Sequence, residues 1–294
     1  MSFLYSFIIP HKNSPELLQR CIDSIPNRSD IQIIVVDDNS DNDKRPAVAH
    51  ENLEIIQLDE KISKGPGRAR NIGLARAMGK WILFADADDF YDLDFMNVLD
   101  SYSDDESEVV YFNAKSVISE TLRPAKLTDF MNKYFDDCVG DVQSINKIKY
   151  GLHSPWNKMI KLSFLKKYNI VFEEIPRGED AFFSYCVGYL SSKVKIEKKR
   201  IYVYTWNMNS LTKKSFDNTL WLVAWKNYFR QQKFLKFVNC KNLMLPIIRY
   251  MSRLTKKDGF CCALLGLWIL FVNFIPIMKQ SSEYVQKIKA YNGN

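Results

Sequence analysis

The sequence predicts an α/β fold, a mostly parallel sheet flanked by helices, with a helical C-terminal extension. Three observations carry that prediction. Within residues 1–113, short apolar runs (Tyr5 to Ile9, Ile31 to Val36, Leu53 to Leu58, Ile82 to Ala85, Val109 to Phe112) alternate with helical segments, the pattern of strands covered on both faces. Two of these runs end in acids, at Asp37-Asp38 and at Asp86-Ala87-Asp88-Asp89, so both clusters open onto one sheet edge, where α/β sheets bind ligands. Past about residue 120 the pattern turns helical and aromatic.

The elements follow in order. Tyr5 to Ile9 reads as a strand that Pro10 stops, and Ser14 as the cap of a helix with Pro15 at its first position and Leu17, Leu18, Cys21 and Ile22 on its apolar face. Lys64-Gly65-Pro66-Gly67 is a loop leading into a helix from Ala69 to Met78, ended by Gly79. A helix is expected from Leu93 to Tyr102, and a further apolar helix from Ala181 to Tyr189. Glu179 and Asp180 precede that last helix. Acids favour a helix start electrostatically, which accounts for the pair structurally; the functional alternative is that one of them faces the cleft as a general base.

Size and composition allow one large domain or a domain with an appendage, at about 150 residues per domain. The 47% apolar and 26% charged content is that of a folded globular chain. Charge is distributed unevenly: residues 1–120 hold 12 Lys and Arg against 22 Asp and Glu, and residues 121–294 hold 29 against 12. The acidic part suits a cation-dependent site and the basic part an anionic surface or substrate. The six cysteines form no CxxC pair, which suits a reducing compartment, and Met1 to Pro10 lacks the basic start of a secretory leader. Neither a GxGxxG nor a GxxxxGK[ST] loop is present, so dinucleotide and P-loop chemistry is not supported. The basic half follows helical packing more than a stacking platform, so nucleic-acid binding is not expected.

Acidic clusters are costly in a core and normally sit where water, a metal or a cationic partner neutralises them, and an acidic helix cap continued by Asp92 and Asp94 is the structural alternative for the one at Asp86 to Asp89. As a ligand set, Asp86, Asp88 and Asp89 suit a hard divalent cation that also holds phosphates; Mg²⁺ usually takes one or two carboxylates plus substrate phosphate oxygens.

Six segments together resemble the inverting glycosyltransferases of family 2: Ile8 to Asn13, Ile34 to Ser40, Gly67 to Gly73, Phe84 to Asp89, Trp156 to Met159 and Gly178 to Asp180. They occur in the family's order and cover roughly residues 3–205. The resemblance implies the GT-A nucleotide-diphospho-sugar transferase fold, with a catalytic domain at 1–205 (nucleotide half 1–113, acceptor half 114–205) and a helical region at 206–294. It implies that Asp38 binds the nucleobase, usually uracil, and that Pro10 to Asn13 flank the nucleoside. Arg70 matches an arginine near the nucleotide, while Asn71 and Gly73 read as structural. Asp86 and Asp88 match the DxD pair, Asp88 as the metal ligand and Asp86 toward the ribose. Asp180 matches the catalytic base, with Glu179 as its orienting partner, and Trp156 and Lys158 match the segment bordering the donor sugar or acceptor. His11-Lys12 stands where many relatives carry an aromatic residue, which leaves contacts at those two positions open.

The implied activity is metal-dependent transfer of a sugar from a nucleotide donor, a UDP-sugar, to a glycan acceptor of surface-polysaccharide synthesis, with a lipid-linked acceptor among the options. A non-catalytic nucleotide-sugar binder or scaffold is the alternative reading; a nucleotidyltransferase would carry a glycine-rich first loop that Pro10 to Asn13 lacks. In the C-terminal region, Lys226, Arg230, Lys233 and Lys236 recur along one helix face among aromatics, which suits an anionic membrane surface. Phe260 to Met278 is a 19-residue stretch without charge, about 28 Å long as a helix. It is marginal for a bilayer and interrupted by Gly266, Asn273 and Pro276. An interfacial anchor, a helix buried on the catalytic domain and a true span all remain open, and each leaves the catalytic domain cytoplasmic.

Overall fold

The computed structural model describes residues 3–206, 218–258 and 260–291. Strand and helix alternate as β1 (Tyr5–His11), α1 (Pro15–Asp23), β2 (Ile31–Asp37), β3 (Leu53–Gln57), α2 (Pro66–Arg76), β4 (Trp81–Phe84), β5 (Phe90–Tyr91), α3 (Phe95–Asp100) and β6 (Val109–Ile118). There follow α4 (Leu127–Asp136), α5 (Val142–Gly151), β7 (Lys158–Lys161), α6 (Leu162–Lys167), α7 (Glu179–Leu190), β8 (Val194–Trp206), α8 (Asn218–Phe237), α9 (Ile247–Asp258) and α10 (Phe260–Ala290).

The strands form one sheet in the order β3-β2-β1-β4-β7-β6-β8-β5. The parallel block β3-β2-β1-β4 is the expected one, with Ile8 opposite both Ile34 and Phe84. The remainder is mixed. β6 does not join the parallel block directly, because β7 inserts between β4 and β6 and runs antiparallel to both. β7 and β8 went unrecognised in the sequence because Lys158–Lys161 is only four residues long and the first half of β8 carries the charged run Glu197 to Arg200.

Several local boundaries also differ. Pro10 does not end β1, which runs on to His11. The carbonyl of Ile8 accepts from Ala85 N toward β4 and that of His11 from Asp38 N toward β2, so strand alternation aims the Pro10 nitrogen at the β4 side, past the last β4 pairing at Phe84, where no N–H is needed. Ser14 stands at the α1 N-cap without a side-chain capping bond. Helix α2 starts earlier than expected, with Pro66 at its first position, the place in a helix where a missing N–H costs nothing.

The core fills both faces of the sheet. A Cβ on Gly73 of α2 would lie 2.4 Å from Ile8 Cγ2, so glycine lets α2 lie close on β1. Phe172 stacks on Phe183 at 3.9 Å between centroids, and both rings meet Phe84 edge-on. That aromatic triple fixes the chain entering α7 to the end of β4. A second cluster, Trp221, Trp225, Tyr228, Ile269 and Ile277, joins α8 to α10.

Candidate active site

The β1 and β2 ends are locked together by buried polar groups. His11 Nδ1 donates to Asp37 Oδ1 at 2.8 Å while its Nε2 accepts from Ser14 N at 3.2 Å, a pairing that the neutral ring with its proton on Nδ1 satisfies. Ser40 Oγ also donates to Asp37, so His11, Asp37 and Ser40 form a positioning network rather than a nucleophile. Asn13 and Asp41 exchange side-chain and backbone bonds across the loop ends. Beyond β2, Asp38 Oδ2 accepts from Gly65 N at 3.0 Å, whereas Asp38 Oδ1 is buried with no hydrogen-bond partner. A buried acceptor without a donor is costly, and one at the mouth of a parallel sheet is suited to a ligand N–H.

Arg70 stands at the centre of the site. It is 5% exposed, and its guanidinium reaches Asp86 Oδ1 at 2.6 Å and Glu179 Oε1 at 2.9 Å while lying over the Phe172 ring. Arg70 was expected beside the nucleotide; both of its terminal nitrogens are engaged by carboxylates, and it joins two acidic segments that are far apart in sequence.

The acids after β4 are held by the distant strand β8. Asp86 N donates to Tyr202 OH at 2.9 Å. Asp88 O accepts from Arg20 and from Thr205 Oγ1, and Asp89 Oδ1 accepts from Thr205 N at 2.6 Å. Burial, and then the charge of Asp86, pushes the Asp88 carboxyl up to about 6. Asp89 is buried, with its other oxygen unpartnered, and its carboxyl is raised well above the usual range by burial and by Asp88 and Asp86. Among the described residues no three His, Cys, Asp or Glu side chains converge into a complete metal cage. The desolvated, mutually repelling acids do fit a hard cation whose remaining ligands are phosphate oxygens and water.

Helix α7 brings Glu179 and Asp180 to this cluster. Gly178 precedes it with φ +80°, a conformation glycine adopts without strain, and a Cβ there would lie 2.6 Å from Asn227 Nδ2. Gly67 is also required: its Cβ would lie 2.2 Å from Glu173 O and 3.2 Å from Glu179 Cβ. The Asn71 side chain both donates to Phe172 O and accepts from Phe172 N, at 3.0 and 2.8 Å, so the Gly67 to Gly73 segment docks the approach to α7. Burial holds the Asp180 carboxyl above its ordinary range, with Asp86 adding to the rise and Arg70 and Lys158 opposing it. Glu179 is raised as well, by burial first.

The structure places both residues expected on the acceptor side in the interior. Lys158 is fully buried and spends its ammonium on Leu152 O, Ser154 O and Asn157 Oδ1 at 3.0, 2.5 and 2.9 Å. It braces the 152–157 segment and has no surface left for a sugar. Trp156, 4% exposed, stacks on Tyr202 at 4.8 Å and meets Tyr204 at 6.0 Å. Its role is to back the β8 residues that hold the DxD loop. Arg20, Tyr202, Tyr204 and Thr205 were missed in the sequence because no local motif marks them. The available signal was the run Ile201-Tyr-Val-Tyr-Thr-Trp206, rich in β-branched and aromatic residues.

The sequence profile of glycosyl transferase family 2 matches residues 6–173, more than half of the chain, and the chain belongs to that family. It is 25% identical over 240 residues to EpsH of Bacillus subtilis (strain 168), covering 77% of this chain and 69% of EpsH. It is 26% identical over 211 residues to the poly(ribitol-phosphate) beta-N-acetylglucosaminyltransferase TarS of Staphylococcus aureus (strain Mu50), covering 68% of this chain and 35% of TarS. The chain thus spans about a third of TarS. The crystal structure of residues 1–349 of S. aureus TarS with UDP-GlcNAc superposes with a TM-score of 0.60 at 18% identity, covering 99% of this chain and 92% of that one. A mannosyltransferase of Pyrobaculum calidifontis, solved with GDP-Man and Mn²⁺, gives 0.56 at 13% identity, covering 99% and 87%. The fold is the GT-A α/β fold, and the enzyme class is glycosyltransferase.

Proposed function

We propose that this glycosyltransferase is metal-dependent and inverting, and that it moves a sugar from a UDP-sugar to a glycan acceptor of surface-polysaccharide synthesis. The observation that carries the reading is the Arg70 bridge, which gathers Asp86, Glu179 and the adjacent Asp180 in one place. Asp38 Oδ1, buried and unpartnered, is the acceptor for the uracil ring N–H, with Pro10 and Asn13 flanking the nucleoside. Asp88 is the metal ligand, and Asp86 lies toward the ribose while anchored to Arg70.

When bound, Mn²⁺ or Mg²⁺ neutralises the charge that develops on the departing diphosphate. Asp180 takes the proton of the acceptor hydroxyl. The hydroxyl oxygen then bonds to the anomeric carbon, and the bond from that carbon to the phosphate oxygen breaks with its electron pair leaving on the nucleoside diphosphate. Attack opposite the leaving group inverts the anomeric centre. The raised carboxyl of Asp180 makes it a stronger base than an ordinary aspartate. Glu179, paired with Arg70, keeps the helix start in place.

We assign residues 1–113 to the nucleotide half, 114–205 to the acceptor half and 206–294 to a helical appendage. The buried free thiols Cys21, Cys138, Cys186 and Cys240 support a cytoplasmic setting. The test is Asp180→Asn: UDP release from a UDP-sugar in the presence of acceptor should fall at least about 100-fold, with UDP affinity within about twofold of wild type. An Asn variant that transfers sugar near the wild-type rate would overturn the assignment.

A further inference from the structure

Helix α10 is apolar on all sides in its first half, but only one side is covered. Gly266, Ile269 and Ile277 pack against α8. A Cβ on Gly266 would lie 2.5 Å from the Trp221 ring, and Trp225 Nε1 donates to Gly266 O at 2.8 Å, so this glycine serves close helix packing. The opposite stripe is open: Trp268 is 62%, Phe271 76% and Ile275 79% exposed, with Leu264, Leu267 and Val272 beside them. Positions 268, 271, 272 and 275 repeat at helical spacing, so these side chains form one continuous ridge. A monomeric soluble protein rarely leaves such a ridge bare.

The charge around the ridge identifies what covers it. Residues 218–294 contain twelve Lys and Arg against two acids, Asp258 and Glu283. Lys279, exposed, follows the ridge on α10, and α9, which packs on α10, shows Ile248 82% exposed next to the exposed Arg249. An apolar ridge within a basic surround matches an anionic bilayer surface.

The helix is built to lie on the bilayer. Its outer apolar stripe extends from Leu264 to Ile275, about 17 Å, against the roughly 30 Å of a hydrocarbon core. Beyond Lys279 the helix turns inward, with Tyr284, Val285 and Ile288 in the main core, so a spanning orientation would pull these residues out. The sequence offered two candidates for a membrane contact, the basic face of α8 and the uncharged Phe260 to Met278 stretch; of these, α8 is largely committed to the protein. Arg230 pairs with Glu173 at 3.1 Å, and Lys233 donates to Met278 O and Ser282 Oγ at 2.8 and 2.5 Å.

We propose that the Leu264 to Ile275 ridge of α10 seats in the interfacial layer of an anionic membrane, with the helix parallel to the surface. Helix α8 links this contact to the catalytic loop, because Asn227 Nδ2 donates to Arg177 O at 2.9 Å and Arg230 holds Glu173, both just ahead of Asp180. The docked enzyme therefore holds its cleft at a fixed height above the lipid, where an acceptor carried on a lipid is presented; that last step rests on the transferase reading above, and the docking does not.

The experiment is co-sedimentation of the full chain with vesicles of phosphatidylcholine and phosphatidylglycerol in equal parts and with phosphatidylcholine alone. Wild type is compared with Phe271→Ser/Ile275→Ser, and UDP binding is measured on both proteins. Both substitutions fall on exposed positions, so folding and UDP affinity should be unchanged. Expected are binding to the anionic vesicles, little binding to phosphatidylcholine alone, and at least about tenfold weaker binding of the variant. Absence of vesicle binding, binding unaffected by the two substitutions, or a wild-type dimer that the substitutions dissolve would each overturn the proposal. Failure to bind UDP would count against the transferase reading instead.

Discussion

Arg70 and Glu179 lie 2.9 Å apart although 109 residues separate them in sequence, and the other arm of the same guanidinium reaches Asp86 at 2.6 Å. One buried cation thus sets the spacing between the acids after β4 and the start of α7. Planar, two-armed geometry is what this position needs, and an ammonium does not supply it.

Arg70→Lys should keep the charge and lose one of the two contacts. We expect kcat to fall about tenfold or more with a smaller change in KM for the nucleotide donor, because the disturbed distance is between the strand-end acids and Asp180. Arg70→Met strands two desolvated carboxylates and should cost about 3–5 kcal/mol in denaturant unfolding. Wild-type kcat in the Lys variant would show that the bridge does not position Asp180.

Lys158 makes the opposite case, a motif residue with a structural use. Lys158→Met removes the donor from two backbone carbonyls and Asn157, and should cost about 2 kcal/mol or more while UDP affinity stays within about twofold. Burial lowers its pKa to about 7 from 10.5. Between those values the unfolded chain binds a proton that the folded protein does not, so this group's contribution to stability rises with pH. The stability gap between wild type and variant should therefore widen from pH 6 to pH 9 in parallel urea titrations. A gap that narrows over that range would show that burial is not what sets the titration of Lys158.

The parallel block and both acidic strand ends were legible in the sequence because each is encoded locally, as an apolar run followed by acids. The partners of those acids were not. Tyr202 and Thr205 hold Asp86, Asp88 and Asp89 from a strand more than a hundred residues away, and strand pairing of that range leaves no periodic trace. Lys158 misled for a related reason: within Trp156-Asn-Lys-Met159 nothing distinguishes a lysine facing a ligand from one that turns inward to backbone carbonyls. Arg230 and Lys233 misled similarly, since helical spacing puts basic residues on one face without showing that the face meets Glu173 and Met278.

The Asp88 carboxyl gives the sharpest pH test, because its titration is displaced upward. It is raised from 3.8 to about 6, by burial first and then by Asp86. Between those values the folded protein binds a proton that the unfolded chain has released, so the group's contribution to stability is complete below about pH 4 and is lost as pH rises through about 6. At neutral pH the ionised group costs the metal-free protein roughly 3 kcal/mol. Asp88→Asn removes that cost, so the melting temperature of the variant relative to wild type should increase between pH 4.5 and pH 7.5 without added metal. Millimolar Mn²⁺ with UDP should then stabilise wild type more than the variant, since the ligands bind only where Asp88 is ionised. If the difference in melting temperature is flat across this range, the strand-end acids are not under mutual strain, and the physical case for a cation at Asp88 is lost with it.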